Sequence, residues 1–151
     1  MENFSRRKFI NYTMASGVVL PFANILSSSN VHAGVFQTPK DIENMTDMEA
    51  MHVPKIALPP VVEDGSQASI VCSVDHPMDK DHYIKSIQIM NFADPVVIKG
   101  KFYLTPSNGE PYVSTQIRLS GGEGTVWVVA ECNLHGKWAA FKKVNVAAGG
   151  C

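Results

Sequence analysis

Tyr112-Val113-Ser114-Thr115-Gln116-Ile117-Arg118-Leu119 alternates without a break. In an extended chain Val113, Thr115, Ile117 and Leu119 share one side, and Tyr112, Ser114, Gln116 and Arg118 share the other. A period of two carried by β-branched residues specifies a strand with one buried face. The same reading extends outward in both directions. Downstream, Thr125–Cys132 places Val126, Val128, Ala130 and Cys132 together, and Trp138–Val146 is the last strand. Upstream, the candidates are Val96–Leu104, Tyr83–Met90 with Ile84, Ile87 and Ile89, and Gln67–Asp75 with Ile70, Cys72 and Val74. Val53–Leu58 is a short strand stopped by Pro59-Pro60. Glu63-Asp64-Gly65-Ser66, Thr105–Gly109 and Gly121–Gly124 supply turns and loops. About seven short strands at regular spacing predict an all-β, immunoglobulin-like antiparallel β-sandwich over residues 52–147. Residues 34–51 are polar and Met-rich and read as an N-terminal arm, in which Asp41–Met51 could form a short helix.

The first residues have another character. Ser5-Arg6-Arg7-Lys8-Phe9-Ile10 is a twin-arginine export signature, followed by an apolar run to Leu26 and by Val31-His32-Ala33. These features predict a cleavable signal peptide over residues 1–33 and a periplasmic protein. The apolar run is interrupted by Asn11, Gly17, Pro21 and Asn24, so stable membrane insertion is not expected after processing. The 151-residue chain has 13 basic and 14 acidic residues. Without Glu2, Arg6, Arg7 and Lys8 the balance is 10 to 13, a net charge of −3. That argues against nucleic acid as a partner. Three cysteines without a C-x-x-C pair are too few for a centre with four thiolate ligands, and their odd number leaves at least one thiol outside any internal disulfide.

Every histidine beyond residue 33 lies at the margin of a predicted strand: His52, His76, His82 and His135. Cys132 ends a strand three residues before His135. Imidazole and thiolate together suit iron, zinc, copper or nickel. Strand-loop junctions can gather such ligands on a rigid frame. Cys132 also faces inward by parity, as an inert core cysteine would. Spacing alone leaves both readings open.

His76-Pro77-Met78-x-x-x-His82-Tyr83-Ile84, Cys132-Asn133-Leu134-His135-Gly136-x-Trp138 and the upstream His52-Val53-Pro54 resemble the superoxide reductase (desulfoferrodoxin, neelaredoxin) family. The resemblance implies a mononuclear non-haem iron centre cycling between Fe2+ and Fe3+. His52, His76, His82 and His135 would be equatorial ligands, and Cys132 the axial thiolate opposite an open position. It implies reduction of superoxide to hydrogen peroxide, with Cys132 electronically active. No second redox centre is visible, so the electron would come from an external donor. The family usually carries a Glu and a Lys just before the first ligand His. Here those positions are Ala50 and Met51, with Glu49 one residue away and Lys55 and Lys80 as candidate substitute cations.

A second set of features resembles SoxY, the carrier subunit of periplasmic thiosulfate oxidation. It comprises the export signal, Ile56-Ala57-Leu58-Pro59 through Glu63-Asp64-Gly65, Tyr112–Arg118, and Val144-Asn145-Val146 through Gly149-Gly150-Cys151. This resemblance implies a flexible tail over residues 148–151 whose Cys151 thiol carries sulfur species, and a SoxZ-like partner subunit. The family's two glycines after that cysteine are absent here. Cys72, between Ile70 and Val74, reads as a core residue. The leading expectation is therefore an iron protein of superoxide reductase type on a SoxY-like sandwich. The alternatives are a sulfur carrier working through Cys151 and a binding module with a zinc site.

Overall fold

The structure, a computed structural model, describes residues 36–147. The export signature, the cleavage site after Ala33 and the Gly149-Gly150-Cys151 tail lie outside the described residues.

Two sheets face each other. The strands are β1 (Lys55–Ala57), β2 (Val61–Val62), β3 (Ala68–Ser73), β4 (Ile84–Asn91), β5 (Ile98–Tyr103), β6 (Tyr112–Ile117), β7 (Gly122–Cys132) and β8 (Gly136–Val146). One sheet has the order β1-β3-β6 and the other β2-β8-β7-β4-β5. The expected all-β sandwich is present, with eight strands among the described residues. All pairs are antiparallel except β2 with β8, which run parallel at Val61↔Asn145 and Val62↔Val146. The two-residue β2 is too short to carry a period. Gly122–Gly124, read as loop, extends β7 and pairs with Val144–Val146.

Alternation explains the core. Val126, Val128, Ala130 and Cys132 of β7 are all buried, as are Ile70 and Cys72 of β3 and Val113 and Ile117 of β6. These inner faces form one continuous apolar cluster. In β4, Ile84 and Ile87 are both buried although three residues apart. A regular strand would point them to opposite faces. The register against β7 slips between Ile84 and Ser86, so Lys85 is the extra residue of a bulge. That bulge turns Ile84 back inward.

The segment before β1 departs from the sequence reading. His52 does not open a strand; it ends a one-and-a-half-turn helix, α1 (Asp47–His52). Thr46 caps the helix reciprocally with Glu49. Thr46-Asp47-Met48-Glu49 is the capping-box pattern, so the helix start was legible. Ahead of it, Gln37 pairs with Trp138 of β8 in a parallel bridge.

Gly65 sits where backbones meet closely. A Cβ there would lie 2.4 Å from the Leu119 carbonyl oxygen and 2.7 Å from Val146 Cγ1. Leu119 N–H also donates to the Gly65 carbonyl at 2.7 Å, which holds the two segments together. Gly65→Ala is expected to lower the unfolding free energy by about 2 kcal/mol, the cost of forcing backbone apart. Urea denaturation measures it, and a variant as stable as wild type would contradict the close approach.

Candidate metal centre

β3, β4, β7, β8 and α1 all end or begin at one end of the sandwich, and they bring the histidines with them. β7 and β8 are joined by a three-residue loop, Asn133-Leu134-His135, closing on the Cys132↔Gly136 pair. Gly136 has φ +78°, the left-handed residue that such a loop needs after its turn. The loop sets Cys132 and His135 side by side, with Sγ 3.6 Å from His135 Nδ1. His76 and His82 bracket the crossing from β3 in one sheet to β4 in the other. His52 arrives from the end of α1.

The four imidazoles form a ring. His52 Nε2 is 3.0 Å from His135 Nδ1, His135 Nδ1 is 3.0 Å from His82 Nε2, and His82 Nε2 is 3.0 Å from His76 Nε2. Neighbouring rings meet edge to face, with centroids 4.3–4.8 Å apart and planes inclined by 70–77°. His52 and His82 face each other across the ring at 5.8 Å. The donor atoms of His52, His82, Cys132 and His135 all lie within 4.8 Å of one another. Four of the sequence-predicted residues thus form one group, and His76 adjoins it through its 3.0 Å contact with His82. Cys151 lies outside the described residues.

Hydrogen-bond accounting tests whether a metal fits. His52 Nδ1 lies 2.7 Å from the Met48 carbonyl, and His76 Nδ1 lies 2.6 Å from the Pro77 carbonyl. A carbonyl only accepts, so both Nδ1 atoms carry the proton and both Nε2 atoms present lone pairs inward. His135 Nδ1 would then have to donate to His52, and His82 Nε2 to His76. Their own 3.0 Å contact would bring two N–H groups head to head. No neutral protonation pattern satisfies all three contacts. A cation taking a lone pair from each nitrogen does. Three successive nitrogen–nitrogen distances of 3.0 Å are those of the corners of a square whose centre lies roughly 2.1 Å from each, near the about 2.0–2.1 Å of a metal–imidazole bond.

Charge points the same way. Burial pushes the imidazoles of His52 and His76 below their usual range, partly offset by the Met48 and Pro77 carbonyls. Neutral imidazole is the ligating form. Cys132 is buried, and its Sγ accepts the Leu134 N–H at 3.5 Å.

Several residues supporting the ring carried no role in the sequence reading. Trp138 stacks on His52 with centroids 5.5 Å apart, and its Nε1–H donates to the His135 carbonyl at 3.1 Å. Gln37 Nε2 reaches the same carbonyl at 3.4 Å. Asn133 binds the β3–β4 crossing. The Cys-Asn-Leu-His-Gly-x-Trp stretch was the one signal for Asn133 and Trp138; nothing marked Gln37. The candidate substitutes for the missing cation and acid are otherwise engaged: Lys55 pairs with Asp75, and Glu49 caps α1. Among the described residues Lys80 is exposed and has no ion pair.

The fold and the cluster define a class: a two-sheet sandwich with a metal-binding His/Cys group at one end, formed by His52, His82, Cys132 and His135 with His76 beside His82. The chain belongs to the SoxY family; the family model for sulfur oxidation protein SoxY matches residues 40–151. It is also similar to superoxide reductases. The superoxide reductase (neelaredoxin) of Ignicoccus hospitalis is 30% identical, covering 74% of this chain and 94% of that one, with a TM-score of 0.63. A Thermotoga maritima protein named, provisionally, as a superoxide reductase is 29% identical over 114 residues, 63% of this chain and 86% of that one. The sulfur carrier protein SoxY of Chlorobium limicola f thiosulfatophilum is 18% identical, covers 75% and 84%, and has a TM-score of 0.54, a likeness of fold.

Proposed function

We propose that this chain is a mononuclear non-haem iron protein that reduces superoxide to hydrogen peroxide. The observation that carries the reading is the ring of four imidazole nitrogens beside a buried sulfur in a relative of superoxide reductases. His52, His76, His82, His135 and Cys132 would hold the iron. Iron held there would supply the one-electron chemistry that the reduction needs. The remaining work falls to the chain. Met48 and Pro77 carbonyls fix the proton on Nδ1 of His52 and His76 and so aim Nε2 inward. The Leu134 N–H donates to Cys132 Sγ and fixes where the sulfur sits. Superoxide takes one electron and two protons, the protons coming from solvent because Glu49 is bound in the helix cap. An external donor returns the electron. The twin-arginine signature supports export to the periplasm, and no helix among the described residues is long and apolar enough to cross a membrane.

Metal analysis of the purified protein, with a visible spectrum after oxidation and a superoxide consumption assay, tests the reading. Iron, a sulfur-to-metal band and consumption are expected; zinc alone without the band would sink it.

The surroundings of the ring predict unusual kinetics. Segments 47–55 and 75–82 carry Asp47, Glu49, Asp75, Asp79 and Asp81 against Lys55 and Lys80, a net charge of −3. An anion approaching this rim is repelled rather than steered. The rate of superoxide consumption should therefore rise as ionic strength increases from roughly 0.01 M to 0.15 M. A fall in rate over that range would point to an attracting cation at the rim.

The SoxY family match extends to Cys151 and favours a second activity, carriage of a sulfur species on that thiol. Mass spectrometry of the intact protein after exposure to tetrathionate would detect an adduct on Cys151, the thiolate cleaving the reagent's S–S bond and releasing thiosulfate. A Cys151→Ser variant with full physiological function would remove this reading.

A further inference from the structure

The crossing between β3 and β4 carries two of the four histidines, yet it has few attachments to the rest of the fold. Its first half follows β3 directly: His76 N–H donates to the Val74 carbonyl, and Asp75 pairs with Lys55. Its second half, which bears His82, has no such anchor. Asp79 N–H donates to the His82 carbonyl within the loop itself. Apart from the contacts among the histidines, every hydrogen bond that ties residues 79–83 to another segment, among the described residues, is made by Asn133.

Asn133 makes three of them. Its own N–H donates to the Tyr83 carbonyl at 3.1 Å. Its Oδ1 accepts the Tyr83 N–H at 2.9 Å, and its Nδ2 donates to the Asp81 carbonyl at 2.7 Å. The β4–β7 ladder ends at Ile84↔Cys132. Asn133 continues it by one residue through its backbone, and its carboxamide then stands in for a further peptide unit. An N–H on one side and a C=O on the other fix the amide orientation. Only a short side chain with both a donor and an acceptor fits. Aspartate lacks the donor, and alanine lacks both.

We infer that Asn133 is a positioning residue that clips the His82 half of the crossing to the Cys132–His135 hairpin, so that His82 completes the metal ring. This rests on the metal-centre reading above. Asn133 touches the ligand segments on both sides, and His82 and Cys132 are its immediate neighbours in each. Loss of the clip frees His82 and also removes the 3.7 Å contact between Asn133 Oδ1 and Cys132 Sγ, while His52, His76 and His135 stay where their own elements hold them.

Two measurements test it. In the metal-free protein, hydrogen exchange at the Tyr83 amide should be slow in wild type and fast in Asn133→Ala, with the core amides of β7 unchanged. Asn133→Asp, which keeps the acceptor for Tyr83 but loses the donor to Asp81, should fall between them. In a titration with Co2+ as a spectroscopic probe, Asn133→Ala should bind roughly 10–100-fold more weakly than wild type, the usual size for a lost outer partner. Its d–d bands should also shift through loss of one imidazole, while the sulfur-to-Co2+ band is retained because the Cys132–His135 hairpin still presents the thiol. An unprotected Tyr83 amide in wild type overturns the clip whether or not the chain takes metal. Equal Co2+ affinity and an unaltered spectrum in Asn133→Ala overturn the positioning role. Wild type that protects Tyr83 but takes up neither Co2+ nor Fe2+ overturns the metal reading and the positioning role with it. The Tyr83 signal thereby separates that failure from the failure of the clip.

Discussion

Cys132→Ser should abolish the visible charge-transfer band of the oxidised, iron-loaded protein and weaken metal binding by roughly 100-fold, the upper end of what loss of a supporting partner alone costs. Cys132 is the one soft donor in the cluster. A serine hydroxyl stays protonated at neutral pH, so it brings neither negative charge nor a sulfur orbital. Superoxide consumption should fall with the band. The fold should survive, because serine is smaller and its oxygen can still take the Leu134 N–H that now reaches Sγ at 3.5 Å. A change in unfolding free energy of about 1 kcal/mol is expected for the metal-free chain. Cys72→Ser provides the contrast. Cys72 is fully buried in β3, and burial pushes its thiol up to about 12, so it is an uncharged core group. Its replacement should destabilise the core and leave the band intact. A Cys132→Ser protein that keeps its band would mean that some other group supplies the sulfur.

Strand parity carried most of what the sequence revealed. Tyr112–Leu119 buries the one face expected, and Val126, Val128, Ala130 and Cys132 of β7 are buried as expected, but Val129 on the opposite face is buried too, in a second small cluster with Met90 and Ala139. Parity failed where the backbone stopped being regular. The Lys85 bulge reverses the side chains on its N-terminal side. β2 is two residues long and is recruited by its parallel neighbour in β8. Around the metal ring the side-chain types were legible because few groups other than His and Cys can do that chemistry. The supporting shell was not. Met48 and Pro77 act through backbone carbonyls, which any residue possesses. Gln37 acts through a bridge to Trp138 made across about a hundred residues of chain. The Thr46–Glu49 capping box, which the sequence reading did not use, changes the site: it turns His52 from the start of a strand into the end of a helix, whose i−4 carbonyl then orients its ring.

Lys99→Met should lower the unfolding free energy by about 3 kcal/mol at pH 7, because it strands a buried carboxylate. Lys99 Nζ lies 2.6 Å from Asp94 Oδ2, with the two side chains only 8% and 2% exposed. Asn91 Nδ2 and the Ser120 N–H complete the carboxylate shell at 3.1 Å each. The group joins the end of β4, the β4–β5 turn, β5 and the segment leading to β7. For a domain of this size the loss corresponds to a fall in Tm of about 12 °C. The pH dependence separates this cause from lost packing. Burial pushes the Asp94 carboxyl up, but Lys99 and Ser120 together outweigh it and hold the group below the usual range. In wild type its contribution is therefore present above the unfolded carboxylate value of about 3.9 and is lost as pH falls below it. Without Lys99, burial dominates and the folded carboxyl rises above the unfolded one. Its protonation then favours the folded state, so acidification relieves the defect. The stability gap between Lys99→Met and wild type should shrink steadily from pH 7 to pH 4 in urea unfolding. A gap independent of pH would assign the loss to the lysine stem and not to its charge. The pair sits at the far end of β4 from His82. Metal uptake by the variant, measured well below its unfolding temperature, should therefore match wild type, because the frame can lose stability at that end without moving the ring.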